Sequence, residues 1–163
     1  MVFNKDDYLF FYGHTKSSGP ERCLSNWYPI EFYENDIKFS NSEQYMMFKK
    51  AILFDDKETS EEILEDGNPK VVKAKGRLVK GFNKEIWEEN AKDIVYKGCL
   101  LKFSQNLELK NFLLSTKGKI LVEASPYDKI WGIGISKKDA ENGKDWKGLN
   151  WLGECLMKIR NEL

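Results

Sequence analysis

Histidine and cysteine, the residues of many catalytic and metal sites, are scarce in this 163-residue chain. His14 is the only histidine, so Ser-His-Asp or Cys-His catalysis would depend on one residue in a loop, and a histidine-rich zinc site is excluded. The three cysteines, Cys23, Cys99 and Cys155, are far apart and form no Cys-x-x-Cys pair. We therefore expect reduced thiols in a cytosol-like compartment.

The chain also lacks net charge, long apolar runs and the common nucleotide-binding motifs. Its 26 basic residues balance 26 acidic ones, so no global field attracts it to DNA or to anionic membranes. The apolar run near the N-terminus is too short for a signal peptide or a membrane span. No GxxxxGK[ST] occurs, and Gly132-Ile133-Gly134 lacks the spacing of a dinucleotide fold. We expect a cytoplasmic protein with no membrane partner, whose oligomeric state the sequence leaves open.

The order of predicted elements indicates an α+β fold that is mostly helical and forms a single domain over residues 1–163. The patterns predict a strand at 8–12, a hairpin at 30–39 and a strand starting at Ile120. Helices are predicted at 40–54, 59–66, from Pro69, at 83–103, at 107–115 and after a cap at Asn150. About five or six helices thus pack with a few short strands, and residues 137–147 are predicted to be a charged surface loop.

The densest group of candidate residues follows the strand at Ile120. The apolar run stops at Glu123, and a Ser-Pro turn then brings Asp128 to the same side of one cavity. Trp131 precedes Gly132, where the missing side chain lets a flat ligand or a neighbouring backbone approach the indole. Acids beside an aromatic ring suit a nucleoside-like ligand. The alternative is that the acids cap the loop and Trp131 belongs to the core.

Glu43 and Lys50 are a second candidate pair, on the helix predicted at 40–54. Ser40 and Glu43 have the spacing of a capping box. Seven residues separate Glu43 from Lys50, which places both on nearly one face, about 10 Å apart along the axis. One small ligand can contact both. In the alternative, Glu43 only completes the cap and Lys50 is solvated.

Basic residues dominate the segment that follows. Lys70, Lys73 and Arg77 share one helix face, which either meets a phosphate or is simply solvated. Together with Lys80 and Lys84 they form a local strand-binding face, the one place where we expect contact with nucleic acid. Trp87 lies in the long helix after them and is expected in the core by default.

Taken in chain order, these residues resemble the NADAR or YbiA-like family, and the resemblance covers nearly the whole chain. Gln44 stands where many members have histidine. The matching motifs are Phe10-Phe11-Tyr12, Leu24-Ser25-Asn26, Ser42-Glu43-Gln44-Tyr45, Lys50, Gly76-Arg77, Trp87, Lys102-Phe103, Leu121-Val122-Glu123, Asp128, Trp131-Gly132, and Asn150 before Leu152-Gly153.

This resemblance implies a mostly helical fold and an N-glycosidase activity. YbiA-type members hydrolyse the N-glycosidic bond of early riboflavin-pathway intermediates, and other members remove ADP-ribose from guanine bases. The implied catalytic residues are Glu43, Asp128, Lys50 and Glu123. The implied substrate-binding residues are Asn26 and Arg77 for phosphate or ribose, Trp87 and Trp131 for the base, and Gly132 and Asn150 beside them.

Two mechanisms fit these residues, and neither needs a metal or a redox cofactor. In the first, Asp128 stabilises positive charge at C1 or activates water, while Glu43 holds ribose hydroxyls or moves a proton. In the second, Lys50 forms a Schiff base with C1 of an opened ribose, which requires a partly neutral lysine. The substrate is a phosphoribosyl riboflavin intermediate or, alternatively, ADP-ribosylated guanine in nucleic acid. A non-catalytic module that binds ADP-ribose or NAD is a further alternative.

Overall fold

The computed structural model of the protein describes residues 2–163. Within that range the chain forms seven α-helices and four short strands, which confirms the predicted mostly helical α+β fold. The described residues group into two compact units, one built from the chain up to Tyr28 together with Leu107–Leu163 and the other from Pro29–Asn106. No helix in the described range is long and apolar enough to cross a membrane.

The strands and helices are numbered in chain order. The strands are β1 (Tyr8–Phe11), β2 (Phe32–Glu34), β3 (Ile37–Phe39) and β4 (Ile120–Glu123). The helices are α1 (Ser42–Leu53), α2 (Lys57–Glu65), α3 (Pro69–Gly76), α4 (Lys84–Gln105), α5 (Leu107–Ser115), α6 (Lys137–Glu141) and α7 (Trp151–Glu162).

The unit that contains both chain ends, called the terminal unit below, is organised around a two-stranded parallel sheet. β1 pairs with β4 in a register that sets Phe11 opposite Glu123. Because parallel strands end at the same edge, the residues that follow β1 lie close to Glu123. Under the sheet, a buried apolar cluster joins it to the loop after β4 and to α6. Its members are Phe10, Val122, Ala124, Ile133, Ile135 and Ala140.

Helix α6 corrects the prediction that residues 137–147 are a surface loop. The hydroxyl of Ser136 accepts a 3.1 Å hydrogen bond from the backbone N–H of Asp139, and Ala140 is buried in the core. A short segment rich in charges and ended by glycine carries little helix signal. The Ser-x-x-Asp spacing of an N-terminal cap was the available clue.

The unit formed by Pro29–Asn106, called the central unit, has an aromatic core. The predicted hairpin is confirmed as β2 and β3, with Asn35 in the left-handed conformation at the turn. Phe32 and Phe39 face each other across the hairpin with ring centroids 5.6 Å apart. Tyr45 and Phe48 of α1 pack edge-on against Phe39, at 5.0 and 5.5 Å. The hairpin therefore fixes the position of α1.

The start of α1 differs from the predicted capping box by one residue. The cap is Asn41 and not Ser40, since the Asn41 side chain accepts a 2.8 Å hydrogen bond from the N–H of Gln44. Gln44 returns the interaction by accepting from the N–H of Ser40, also at 2.8 Å. A reciprocal pair of bonds similar to a capping box thus forms without Glu43, with the returning bond one residue before the cap.

The remaining helices of the central unit begin at Asp56, Asn68 and Asn83, whose side chains each accept a backbone hydrogen bond from the first turn. The cap at Asn68 agrees with the helix start predicted at Pro69. Asn83, predicted as the first residue of its helix, is instead the cap of α4, and α2 begins two residues earlier than expected. After α3, Val79 is buried and Leu78 is 74% exposed. The chain has left the helix by then, so helical spacing no longer indicates which side chain faces inward.

Candidate active site

The ten predicted site residues are divided between the two units. Glu43, Lys50, Arg77 and Trp87 belong to the central unit. Asn26, Glu123, Asp128, Trp131, Gly132 and Asn150 belong to the terminal unit.

Lys50 is the centre of the group in the central unit. Its side chain is half-buried near the end of α1, and this burial lowers the pKa of its amine below the ordinary lysine value. The charge of Glu43 opposes that shift and the charge of Arg77 adds to it. The charges of Glu43 and Arg77 therefore both act on the Lys50 amine within the central unit.

Two aromatic rings flank the Lys50 amine. Nζ lies 4.6 Å from the ring centroid of Phe82 and 5.6 Å from that of Trp87. Trp87 lies on the first turn of α4. It is only half-buried, and its ring borders the Lys50 amine. No motif or spacing in the sequence indicated Phe82, a 45% exposed ring in the connection between α3 and α4. The ring of Phe54 braces it edge-on at 5.4 Å.

Glu43 is only 5% exposed in the first turn of α1. Because Asn41 and Gln44 cap the helix, Glu43 is not needed for that purpose. Its charge acts on the Lys50 amine and raises the pKa of that amine. A carboxylate and an amine thus face the same small region of the central unit.

In the terminal unit, Glu123 lies beside a tyrosine that the sequence analysis did not single out as a site residue. Burial raises the pKa of Tyr12, and the neighbouring charges of Tyr127 and Glu123 raise it further, while a hydrogen bond with Ser125 opposes the shift. Tyr12 directly follows β1 and Glu123 ends β4, so the parallel pairing accounts for their proximity. Tyr12 remains 43% exposed and available to a ligand.

Asp128 shapes the loop that carries Trp131. Its Oδ1 accepts hydrogen bonds from the backbone N–H groups of Ile130 and Trp131, both at 2.9 Å. This is the loop-capping role that the sequence left open for the acid. Trp131 is half-buried and packs edge-on against Trp151 with centroids 5.6 Å apart.

Gly132 and Asn150 both lie against the backbone at Glu123. A Cβ on Gly132 would lie 2.9 Å from the carbonyl oxygen of Asp128 and 3.0 Å from that of Glu123, so a neighbouring backbone fills the space. Asn150 is 3% exposed, accepts from the N–H of Glu123 and donates to the carbonyl of Leu121, each at 3.0 Å. Its side chain does not cap α7, contrary to prediction.

Asn26 is also buried, two residues after the short helical turn Pro20–Leu24.

The sequence profile of the NADAR domain matches residues 10–163. The chain belongs to the NADAR family.

Several relatives of this NADAR protein are named as N-glycosidases. An N-glycosidase of Acanthamoeba polyphaga mimivirus is 44% identical over 164 residues and covers 96% of each chain. The N-glycosidase YbiA of Escherichia coli is 30% identical over 159 residues, covering 98% of this chain and 90% of YbiA. The maize chloroplastic riboflavin biosynthesis protein PYRR is 41% identical over 87 residues, which is 52% of this chain and 12% of that protein.

The fold agrees with that of a solved NADAR relative. The NMR structure of E. coli YbiA matches with a TM-score of 0.77 and 27% identity, over 96% of this chain and 84% of YbiA. The family resemblance inferred from the motifs and the fold it implied are both confirmed.

Gln44 has a structural role in this NADAR protein. Its Oε1 accepts from Ser40, and its Nε2 donates a 2.9 Å hydrogen bond to the carbonyl of Ile63 in α2. An amide has no titratable proton at neutral pH, and both ends of this one are occupied. Proton transfer in this chain therefore falls to other residues.

Proposed function

We propose that this protein is an N-glycosidase that hydrolyses the bond between a ribosyl C1 and an amine nitrogen, with Lys50 as the nucleophile. The observation that supports this best is the half-buried amine with a lowered pKa, flanked by the rings of Phe82 and Trp87 and subject to the charges of Glu43 and Arg77. A lysine exposed to water is almost wholly protonated at neutral pH and does not attack carbon. The names of the mimivirus and E. coli relatives support the same reaction class.

The reaction proceeds through the opened sugar. The lone pair of the glycosidic nitrogen expels O4 of the ribose, which takes a proton and leaves an iminium between C1 and nitrogen. The neutral amine of Lys50 adds to C1, and the original nitrogen departs as the free amine after receiving a proton. Water then hydrolyses the Lys50 Schiff base, which releases the sugar aldehyde and regenerates the lysine. The balance is one water consumed and one C1–N bond broken.

Glu43 and Arg77 have separate roles in this proposal. The charge of Glu43 acts on the Lys50 amine, and we assign Glu43 the role of accepting a proton from the attacking amine and returning it to the departing nitrogen, directly or through one water. Arg77 is exposed and presents a bidentate guanidinium, which suits a phosphate group of the substrate. Trp87 supplies an apolar face beside the reacting carbon.

The substrate that we propose is a phosphoribosyl intermediate of riboflavin biosynthesis. The maize relative carries riboflavin biosynthesis in its name and matches about half of this chain. Zero net charge also suits a small metabolite better than a polyanion.

A second candidate substrate is an ADP-ribosylated base within nucleic acid. One observation favours it: residues 67–84 contain no acidic side chain and six basic ones. These are Lys70, Lys73, Lys75, Arg77, Lys80 and Lys84. The segment leads directly to Phe82 and Trp87, so a strand bound along it would reach Lys50.

Borohydride trapping tests the lysine mechanism. Wild-type protein incubated with ribose 5-phosphate and borohydride is expected to gain one reduced sugar adduct on Lys50, measured by intact and peptide mass spectrometry. Lys50→Arg keeps the charge and abolishes the adduct. Lys49→Arg is the matched control, because it changes the adjacent lysine and retains the ion pair with Glu34. If wild type forms no adduct, Lys50 is not the nucleophile.

A substrate assay then separates the candidate functions. Wild type is incubated with each substrate, and the released amine or base is quantified by mass spectrometry. Release from the phosphoribosyl compound alone supports the small-metabolite function, and release from the modified oligonucleotide alone supports the second candidate. Binding without release over hours identifies a non-catalytic module. Activity that survives Lys50→Arg and disappears in Asp128→Asn supports the carboxylate mechanism instead.

A further inference from the structure

The connection between α3 and α4 holds Phe82 against the nucleophile that we propose. Its ring centroid is closer to the Lys50 amine than the Trp87 centroid, 4.6 Å against 5.6 Å. Phe82 comes from a different segment than Lys50, so its position reflects the fold and not helical spacing. The edge-on contact with Phe54 at 5.4 Å restrains the ring from another side.

We propose that Phe82 is a positioning residue that keeps water from the Lys50 amine and so sets the fraction of that amine that is neutral and nucleophilic. This inference rests on the proposed function of Lys50. Phe82 contacts the proposed nucleophile and takes no part in the chemistry of the substrate.

Two effects of the ring on the amine have opposite signs. A ring face attracts a cation and favours the ammonium form, whereas exclusion of water disfavours it. For Lys50, burial is the largest single effect on the pKa of the amine and lowers it, although the charge of Glu43 acts against the shift. Because Phe82 is the nearer of the two rings, we expect its removal to hydrate the amine and to raise that pKa.

The other groups around Lys50 do not set the fraction of its amine that is neutral. Within the central unit, the charges that act on Lys50 are Glu43 on α1 and Arg77 at the end of α3. These two have opposite signs, so their effects partly cancel. Trp87 from α4 covers a second side at a longer distance. Phe82 is the nearer of the two rings and the more exposed, so its substitution changes the environment of Lys50 without opening the core.

Competitive labelling of lysines measures this effect without any enzymatic turnover. Full-length protein receives a short pulse of isotopically labelled acetic anhydride, which reacts with neutral amines, at a series of pH values. Fragment mass spectra then give the labelling midpoint of Lys50 separately from that of Lys49. Lys117 in the exposed connection after α5 serves as the internal reference for reagent concentration.

In wild type we expect the Lys50 midpoint to lie below the ordinary lysine value. Phe82→Ala raises the Lys50 midpoint by about 0.5–1 unit, which leaves roughly three- to tenfold less neutral amine at pH 7. Phe82→Leu keeps an apolar side chain of similar bulk and stays within about 0.3 unit of wild type. Leu78→Ala, an equally apolar but more exposed change in the same connection, leaves the midpoint unchanged.

Adduct formation supplies the second readout. In Phe82→Ala, borohydride trapping at pH 7 slows by the same factor, and raising the pH restores the wild-type rate. A lesion that merely loosened the fold would not recover in this way.

The possible results distinguish the role of Phe82 from the nucleophilic role of Lys50. An unchanged or lowered Lys50 midpoint in Phe82→Ala overturns the role of Phe82, and so does a Phe82→Leu variant that behaves like Phe82→Ala. If the midpoint moves as expected but wild type forms no adduct, the role of Phe82 stands and the nucleophilic role of Lys50 fails. If the adduct forms and the midpoint does not respond, only the role of Phe82 fails.

Discussion

The hydroxyl of Tyr45 donates a 2.9 Å hydrogen bond to Oε2 of Glu34 and thereby joins α1 to the hairpin. The same carboxylate pairs with Lys49 at 2.5 Å and with Lys97 at 3.2 Å. One acidic side chain therefore connects β2, α1 and α4. Because α1 carries both Glu43 and Lys50, this network holds the candidate site of the central unit in place.

Replacing Glu34 by glutamine should destabilise the protein in a pH-dependent way. Burial alone would raise the pKa of Glu34, but hydrogen bonds from Lys49, Tyr45 and Lys97 lower it below its ordinary value. A carboxyl with a lowered pKa in the folded state stabilises the protein above its unfolded pKa and loses that effect as pH falls through the folded pKa.

We expect Glu34→Gln to lose about 2 kcal/mol of unfolding free energy at pH 7, and much less at pH 3. Urea denaturation at both pH values measures the difference. The control is Glu31→Gln, whose partner Lys38 is 3.6 Å away with both side chains mostly exposed. That control should change stability by less than about 0.5 kcal/mol. A loss that does not depend on pH would contradict the role of the charge.

Gly98→Ala should destabilise the central unit although alanine favours helices. A Cβ at this position would lie 2.5 Å from Cδ1 of Tyr45, whose ring is packed against Phe39 and whose hydroxyl is bound to Glu34. Helix propensity gains about 1 kcal/mol, and overpacking against a restrained ring costs about 1–3 kcal/mol. We expect a net loss of about 1 kcal/mol in denaturant unfolding. Asp93→Ala on the exposed face of α4 should be neutral, and equal stability of both variants would refute the steric argument.

Asn150→Ala should separate β4 from the start of α7. The substitution leaves the N–H of Glu123 and the carbonyl of Leu121 without the side chain that now bonds both. The left-handed backbone at Asn150 adds to the cost, because alanine adopts φ near 53° less readily. We expect about 2–3 kcal/mol of destabilisation and faster amide hydrogen exchange at Glu123. Thr116→Ala breaks a bond to Arg160 elsewhere in this unit and should leave exchange at Glu123 unchanged.

The charges beside Lys50 should move the pH dependence of activity in opposite directions. If the neutral amine attacks, kcat/KM rises with pH through the pKa of Lys50 in the free enzyme. Arg77→Gln removes a charge that lowers this pKa, so the rise shifts to higher pH. Glu43→Gln removes a charge that raises it, so the rise shifts to lower pH. Two profiles that keep the wild-type midpoint would show that activity does not follow Lys50.

Local signals in the sequence predicted most of the fold. The caps at Asn68 and Asn83 precede clear apolar periodicity, and the hairpin turn is a two-residue loop with a left-handed Asn35. Such signals depend on neighbours within a few residues. The parallel pairing of β1 with β4 joins positions 112 residues apart in its register, Tyr8 and Ile120 among them. Spacing within a strand carries no information about a partner at that distance.

The candidate site was predictable where one helix contains it. Glu43 and Lys50 are two turns apart on α1, so helical spacing predicted that they share a face. Arg77 was added to this group only because it matches a motif of the family. Phe82 and Tyr12 were missed for a different reason. Each is an aromatic residue just beyond an element, where sequence periodicity ends and only tertiary structure determines what the ring contacts.

Capping errors came from residues that share the same chemistry. Ser40 and Asn41 both accept hydrogen bonds readily, and the choice between them depends on which backbone conformation the preceding hairpin imposes. Asn150 has the side chain of a helix cap but bonds to β4 instead, a competition decided by a strand 27 residues earlier in the chain.

The terminal unit is assembled from both ends of the chain, whereas the central unit is one uninterrupted stretch. During synthesis the ribosome therefore adds every residue of the central unit before it reaches β4. Strand β1 is synthesised first, and about a hundred further residues are added before its partner strand is made. Until then its backbone N–H and C=O groups are unpaired and can bind strands of other chains. The nascent protein thus depends on protecting one four-residue edge until β4 has been synthesised.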